Sequence, residues 1–195
     1  MAINLSKGQR IDLTKGRPSL NKILVGLGWD TNRYDGEEDF DLDASCFLLN
    51  SNEKVRNDND FIFYGNLEHS SGAVKHYGDN RDGNGDGDDE KIEITLNKIP
   101  FDVDYIDITT TIYDAERRLQ NFGMVSNAYI RLVDMDTNEE LMRFDLSEDY
   151  SVETSLVFAR IYRHNNEWKF NAVGSGYTCG LVDLCTKYGI DAQGE

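Results

Sequence analysis

The residues best suited to chemistry lie in one short acidic stretch, Gly78 to Glu90, which reads GDNRDGNGDGDDE. Six carboxylates (Asp79, Asp82, Asp86, Asp88, Asp89 and Glu90) face a single cation, Arg81, and Gly83, Gly85 and Gly87 alternate with the polar residues. Carboxylates about 7 Å apart repel each other by roughly 2 kcal/mol per pair at an effective dielectric near 20. A loop of this kind folds tightly only around a cation. An all-oxygen donor set on a backbone that turns freely suits a hard divalent ion, calcium above all.

A second acidic cluster precedes it. Asp39, Asp41 and Asp43 alternate with Phe40, Leu42 and Ala44, the period of a strand with one buried face. A row of like charges on one face is destabilising unless it flanks a cation or open water. Asp30, directly after Trp29, stands beside this row if the two strands pair. From Asp82 the glycine-rich loop also satisfies the EF-hand expression, through Asp82, Asn84, Asp86, Gly87 and Glu93. An EF-hand needs a helix on each side, whereas both flanks here read as strands and Glu93 falls on a polar strand face. The fold is rejected, but its chemistry of alternating oxygen ligands with glycines between them is retained.

The elements that position these acids are mostly strands. Apolar or alternating runs predict strands at Lys22 to Leu27, Asp39 to Leu49, Phe61 to Tyr64, Ala73 to Tyr77, Lys91 to Leu96 and Tyr105 to Tyr113. Asp114 reads as the N-cap of a short helix, Ala115 to Asn121, closed by Gly123. Two hairpins follow: Tyr129 to Val133 with Leu141 to Phe144, and Leu156 to Tyr162 with Trp168 to Val173 about His164-Asn165-Asn166-Glu167. Leu181, Leu184, Cys185 and Tyr188 have helical spacing, and Gly189 stops that helix. Some seven to nine short strands predict an all-β, two-sheet β-sandwich with short helices, one of them near the C-terminus. With only two prolines and no linker composition, residues 1–195 read as a single domain.

Composition excludes several classes of function. The formal charge of −16 argues against nucleic acid, which recruits Lys and Arg, and disfavours direct adhesion to an anionic membrane. No apolar run reaches the roughly 18 residues a membrane span requires, and MAINLSKGQR lacks the apolar core of a secretory signal. Three cysteines, Cys46, Cys179 and Cys185, form neither a disulfide framework nor a zinc pattern and read as packing residues of a cytoplasmic protein. His69, His76 and His164 show no ligand spacing, and His76 reads as a neighbour of the acidic loop. Trp29, Trp168, Phe170 and Tyr129 read as core. No motif commits a nucleophile.

The segments LSKGQRIDLTK, ILVGLGWD, DFDLDASCFLLN, DFIFYGNL, GDNRDGNGDGDDE, RLQNFGMVSNAYIRLVD and WKFNAVGSGY resemble the TerD, or tellurium-resistance, family from about Ile3 to Ile190. The order GWD, DLDAS, GDN…GDDE is highly specific. The resemblance implies a cytoplasmic β-sandwich, C2-like in layout, that binds about two calcium ions through loops at one end. It also implies a place in bacterial stress operons linked to tellurite resistance, phage inhibition and colicin tolerance, without catalytic activity. The ligand region it implies comprises Asp30, Asp41, Asp43, Asp79, Asn80, Gly83, Gly85, Asp88, Asp89 and Glu90. Asp39, Asp82, Asn84 and Asp86 are further candidates. Asp82 stands where the family has Thr, so it either tightens the site or pairs with Arg81. Cys46 replaces a small or apolar residue and behaves as a small hydrophobe.

The expected function is therefore non-enzymatic calcium binding in a stress response, with other stress-operon proteins as partners. The acidic loops would serve as the interaction surface, in a multiprotein or membrane-associated complex whose membrane contact is only indirect. The alternative is a divalent-metal-dependent phosphoesterase-type hydrolase, disfavoured by the scattered histidines.

Overall fold

The computed structural model describes residues 2–30, 40–78, 87–146 and 150–192. In chain order its strands are β1 (Ile3–Asn4), β2 (Arg10–Asp12), β3 (Lys22–Gly28), β4 (Leu42–Leu49), β5 (Phe61–Ile62), β6 (Val74–His76), β7 (Glu90–Thr95), β8 (Tyr105–Ile112), β9 (Tyr129–Asp134), β10 (Glu139–Asp145), β11 (Ser155–His164) and β12 (Glu167–Tyr177). A one-turn helix, α1 (Ala115–Arg118), follows β8, and α2 (Leu181–Tyr188) follows β12. The strands form two six-stranded sheets, ordered β1-β10-β9-β3-β7-β6 and β2-β12-β11-β8-β4-β5. This is the expected two-sheet β-sandwich. Among these pairings β1 lies parallel to β10 and the rest are antiparallel.

Period-two patterning builds the core. Ile23, Val25 and Leu27 of β3, Ile92 and Ile94 of β7, and Ile130 and Leu132 of β9 turn inward from the first sheet. They meet Leu42, Ala44, Cys46 and Leu48 of β4, Ile106 and Ile108 of β8, and Trp168, Phe170 and Ala172 of β12 from the second. Burial keeps the Cys46 thiol well above its ordinary pKa, with the charges of Asp107 and Asp60 adding to it, so it packs as an inert hydrophobe. The β11–β12 hairpin turns on Asn165 and Asn166, both at positive φ (52° and 62°), the two-residue turn that matches strand twist.

Five local expectations are corrected. Asp39 to Leu49 was expected to bury one face, yet every residue of β4 is buried. Over its last turn of alternation the reason is α2, which lies on the outer face of the second sheet and joins Leu184, Cys185 and Tyr188 to Phe47, Leu49 and Phe61. Asp114 makes no side-chain cap: its backbone is left-handed (φ 52°) and its carboxylate pairs with Arg117. The helix then ends at Arg118, before Asn121, because Leu119 is also left-handed (φ 54°). Finally, β3 and β4 lie in different sheets, so Asp30 does not join the Asp41 row by strand pairing. Tyr129 also leaves the expected core, since Ile130 and Leu132 take the inward positions of β9.

Under α2 a buried carboxylate holds the second sheet together. Asp107 is fully buried and accepts from Arg160 through Nε at 2.6 Å and Nη2 at 2.8 Å. The Tyr188 hydroxyl donates to the same carboxylate at 2.7 Å. Removing the guanidinium strands a buried charge, which costs about 3–5 kcal/mol, whereas losing one hydroxyl donor costs about 1–3 kcal/mol. Urea unfolding of Arg160→Met and Tyr188→Phe is expected to show losses in that order; equal, sub-kilocalorie losses would remove Asp107 as an organising charge.

Candidate metal centre

Two strand starts from opposite sheets meet at one end of the sandwich. On β7, Glu90 shares the inward face with Ile92 and Ile94, and its carboxylate accepts a short hydrogen bond from the Ala44 amide of β4. The Ala44 carbonyl accepts from His76 Nε2 at 3.1 Å. His76 Nδ1 accepts from the Gly78 amide at 3.0 Å, and an amide can only donate, so the network assigns the ring proton to Nε2. β5 pairs with β4 only at Cys46 and Phe47. Beyond it, two side chains of the other sheet satisfy the Ala44 peptide groups, closing an open strand edge.

The described candidate carboxylates lie on the segments that lead to and from this staple. Alternation with Leu42 and Ala44 puts Asp43, together with Ser45, on the outer face of the second sheet, where Asp43 registers with Thr111. Asp41 lies 3.8 Å from Arg118, and its carbonyl accepts from the Tyr113 amide at 2.8 Å. Both carboxylates are largely buried. Asp89 accepts from the Trp29 amide at 2.9 Å while its own amide donates to Leu27 at 2.7 Å. Asp30 is held by Ser126, which accepts from its amide at 2.9 Å, and by Asn127 at 2.7 Å.

Asp88 is placed differently. It lies on the outer face of the first sheet, where Arg131 of β9 grips both oxygens at 2.7 and 3.0 Å. Tyr129 adds a hydroxyl at 3.1 Å from Asp88 and 3.0 Å from the Gly87 carbonyl. Burial, then the Asp88 charge, pushes the Tyr129 phenol up to about 12. The hydrogen bond to Asp88 outweighs desolvation and raises the Arg131 pKa. The carboxylate rests against Gly26, where a Cβ would collide with it.

Asp39, Asp79, Asn80, Asp82, Gly83, Asn84, Gly85 and Asp86 lie outside the described residues. Among the described residues no three of His, Cys, Asp and Glu converge closely enough to hold an ion. Sequence reasoning missed Gly26, Tyr129 and Arg131 as partners of the acidic loop. A signal was present: Gly26 and Gly28 alternate with apolar residues in one strand, the mark of a close approach by another group. Gly28 lies against the Tyr129 ring as Gly26 does against Asp88.

A second polar string has the order of a nucleophilic relay. Ser71 Oγ lies 2.7 Å from His69 Nδ1, and His69 Nε2 lies 3.1 Å from Asp60 Oδ1. Its neighbouring amides are already spent: that of Ser71 on His69 Nδ1, that of Gly72 on the His69 carbonyl and that of Ala73 on Ser71 Oγ. Asp60 is further neutralised by Arg56 at 2.6 and 2.8 Å. The string locks a turn. Burial alone would raise the Asp60 pKa, but the bonds from His69 and Arg56 hold it well below the usual carboxylate range.

Comparison with known proteins agrees with this architecture. The family model for the TerD domain matches residues 1–188. The chain is 56% identical over 193 residues to the "Tellurium resistance protein TerD" of Serratia marcescens, covering 99% of this chain and all of that one. It is 55% identical over 190 residues to "General stress protein 16U" of Bacillus subtilis (strain 168), covering 97% and 98%. The crystal structure of a homologue of telluride resistance protein (TerD) from Streptomyces coelicolor A3(2) superposes with a TM-score of 0.67 at 17% identity, covering 85% of this chain and 95% of that one, a likeness of fold.

Two measurements check this geometry. Gly26→Ala is expected to destabilise by about 1–3 kcal/mol through overpacking, and by less when Asp88→Ala has first removed the colliding group; additive losses in the double-mutant cycle would refute the contact. For Asp60, whose pKa is depressed on folding, the stabilisation is present above the unfolded value near 4 and is lost as pH falls toward the folded one. Asp60→Asn should therefore be less stable than the parent at pH 7, with the gap narrowing below about pH 4; a gap independent of pH in denaturant titrations would contradict the assignment.

Proposed function

The chain belongs to the TerD family, and we propose on that basis that it is a non-catalytic, cytoplasmic calcium-binding protein of the stress response. The observation that carries this reading is the bond between Glu90 and Ala44, residues 46 apart. It brings the start of β4, with Asp41 and Asp43, to the end of the sandwich where Asp89 and Asp30 stand. These donors are all oxygens, the chemistry a hard divalent cation requires. The relatives named for tellurium resistance and general stress supply the biological setting.

Within the proposed site Asp88 and Glu90 also fix the strand starts, through Arg131 and the Ala44 amide. Asp30, Asp41, Asp43, Asp88, Asp89 and Glu90 are the described residues we assign to the ions, with Asp79, Asn80, Gly83 and Gly85 from the intervening loop. Two calcium ions would add four positive charges to an end otherwise crowded with carboxylates. The loops so ordered would form the surface offered to other stress-response proteins.

Calorimetric titration with calcium, alongside thermal unfolding, tests the proposal. Calcium at 100 times its dissociation constant is expected to stabilise the fold by about 2.7 kcal/mol, and Asp41→Asn and Asp43→Asn should each weaken binding. Absence of both heat and a melting shift would reject the function. Unchanged affinity in both variants would reject this ligand set.

A further inference from the structure

Charge is segregated along this chain. The first 22 residues carry Lys7, Arg10, Lys15, Arg17 and Lys22 against Asp12 alone, a net +4, while the remainder sums to −20. Part of this basic segment becomes β2, the edge strand of the second sheet, paired with β12 through Lys169↔Asp12, Phe170↔Ile11 and Asn171↔Arg10. Phe170 and Ile161 belong to the core and Ile11 packs against it. Arg10, Asp12, Lys169 and, across β11, Tyr162 therefore share the outer face, Tyr162 registering with Lys169.

These side chains enclose a concavity of about 380 Å³ lined by Arg10, Ile11, Asp12, Tyr162, His164 and Lys169. Asp12 pairs with Lys169 at 3.0 Å. That hydrogen bond, with the fields of Lys169, Lys15 and His164, holds the Asp12 carboxyl below its ordinary value despite partial desolvation. Lys15 thus stands close enough to add its charge. Asp12 is the one carboxylate lining the concavity, and with Glu167, whose field also reaches Lys169, it answers three cations. Neither the Arg10 guanidinium, the Tyr162 hydroxyl nor the His164 ring makes a hydrogen bond or ion pair to any described residue. Guanidinium, ammonium, phenol and imidazole together present donors from three strands, more than a single carboxylate can accept and well matched to a phosphate dianion.

The net charge of −16 does not forbid an anion here. The carboxylates of the proposed ion site stand toward the far end of β12, where Asp43, Thr111, Ser155 and Tyr177 are in register. The run from Lys169 to Tyr177 spans about 27 Å, roughly three Debye lengths at physiological ionic strength. The local surplus of cations therefore sets the potential at the concavity.

We propose that this concavity on the β2–β12–β11 face is a binding site for a phosphate group, with Arg10 and Lys169 as its charged ligands and Tyr162 and His164 as hydrogen-bond donors. Asp12 positions the Lys169 ammonium. The site is separate from the proposed calcium centre and does not depend on it.

The test titrates the full chain in chelator at physiological ionic strength with three probes, followed by calorimetry and by NMR of the His164 and Tyr162 rings. Inorganic phosphate, glycerol phosphate and vesicles containing phosphatidic acid distinguish a free ion, a soluble phosphomonoester and a lipid headgroup as the source. At least one probe is expected to saturate and to shift both rings. Arg10→Gln and Lys169→Gln should each weaken it by about tenfold or more, while Lys98→Gln, outside the concavity, should leave it unchanged. No saturable binding of any probe, or equal affinity in the parent and both variants, would overturn the proposal.

Discussion

The hydrogen bond from the Ala44 amide to the buried Glu90 carboxylate is the constraint on which the acidic end depends. A carboxylate this deeply buried carries a desolvation penalty of several kcal/mol unless charge-assisted bonds replace its water. Satisfying Glu90 therefore fixes where β7 begins relative to β4. Asp43 and Asp89 are the immediate chain neighbours of the two partners, so their positions follow from the same bond. His76 makes the contact two-sided by occupying the Ala44 carbonyl. A shift of β7 by one residue would turn Glu90 outward and leave the Ala44 amide of β4 unpaired.

Arginine plays the corresponding part elsewhere in the fold. Arg131 on Asp88, Arg160 on Asp107 and Arg56 on Asp60 each engage both carboxylate oxygens. The rigid fork of a guanidinium matches a carboxylate in a way an ammonium does not. In a chain with 36 acidic and 20 basic residues, this spends cations on buried acids. What it leaves at the end of the sandwich is an excess of carboxylates whose repulsion a bound cation would relieve. The glycine at position 26 is part of the same economy, because any side chain there would push Asp88 off Arg131.

What could be read from the residues divides along physical lines. Features set by neighbours in sequence were legible. The Leu181–Tyr188 helix stops at Gly189 with φ 93°, and the Asn165-Asn166 turn and the inward alternation of β12 follow from local propensity and period. Features set by partners far along the chain were not. Nothing in the pattern of Asp39 to Leu49 shows that α2, more than a hundred residues later, covers its outer face. Nor does spacing say that β3 and β4 belong to different sheets, which separates Asp30 from the row it was expected to join. Strands of two or three residues, such as β1 and β2, carry too few alternations to register. In the candidate site the acidic stretches were evident from composition, but Arg131 and Tyr129 looked like ordinary strand residues because their partner lies more than 40 positions away.

The strong acidity of the chain is therefore poorly described as a device for solubility. Uniform solvation would scatter acids and bases over the surface, whereas here the first 22 residues are net basic in an acidic chain and three arginines grip buried acids. Edge strand β2 then carries the unpaired Arg10 to one end of the sandwich, while the staple at Ala44 and Glu90 gathers carboxylates at the other. Screening over the length of a strand makes the two ends electrostatically independent. With the proposed cation and anion sites at opposite ends of one sandwich, neither ligand would need to draw conformational freedom from the other.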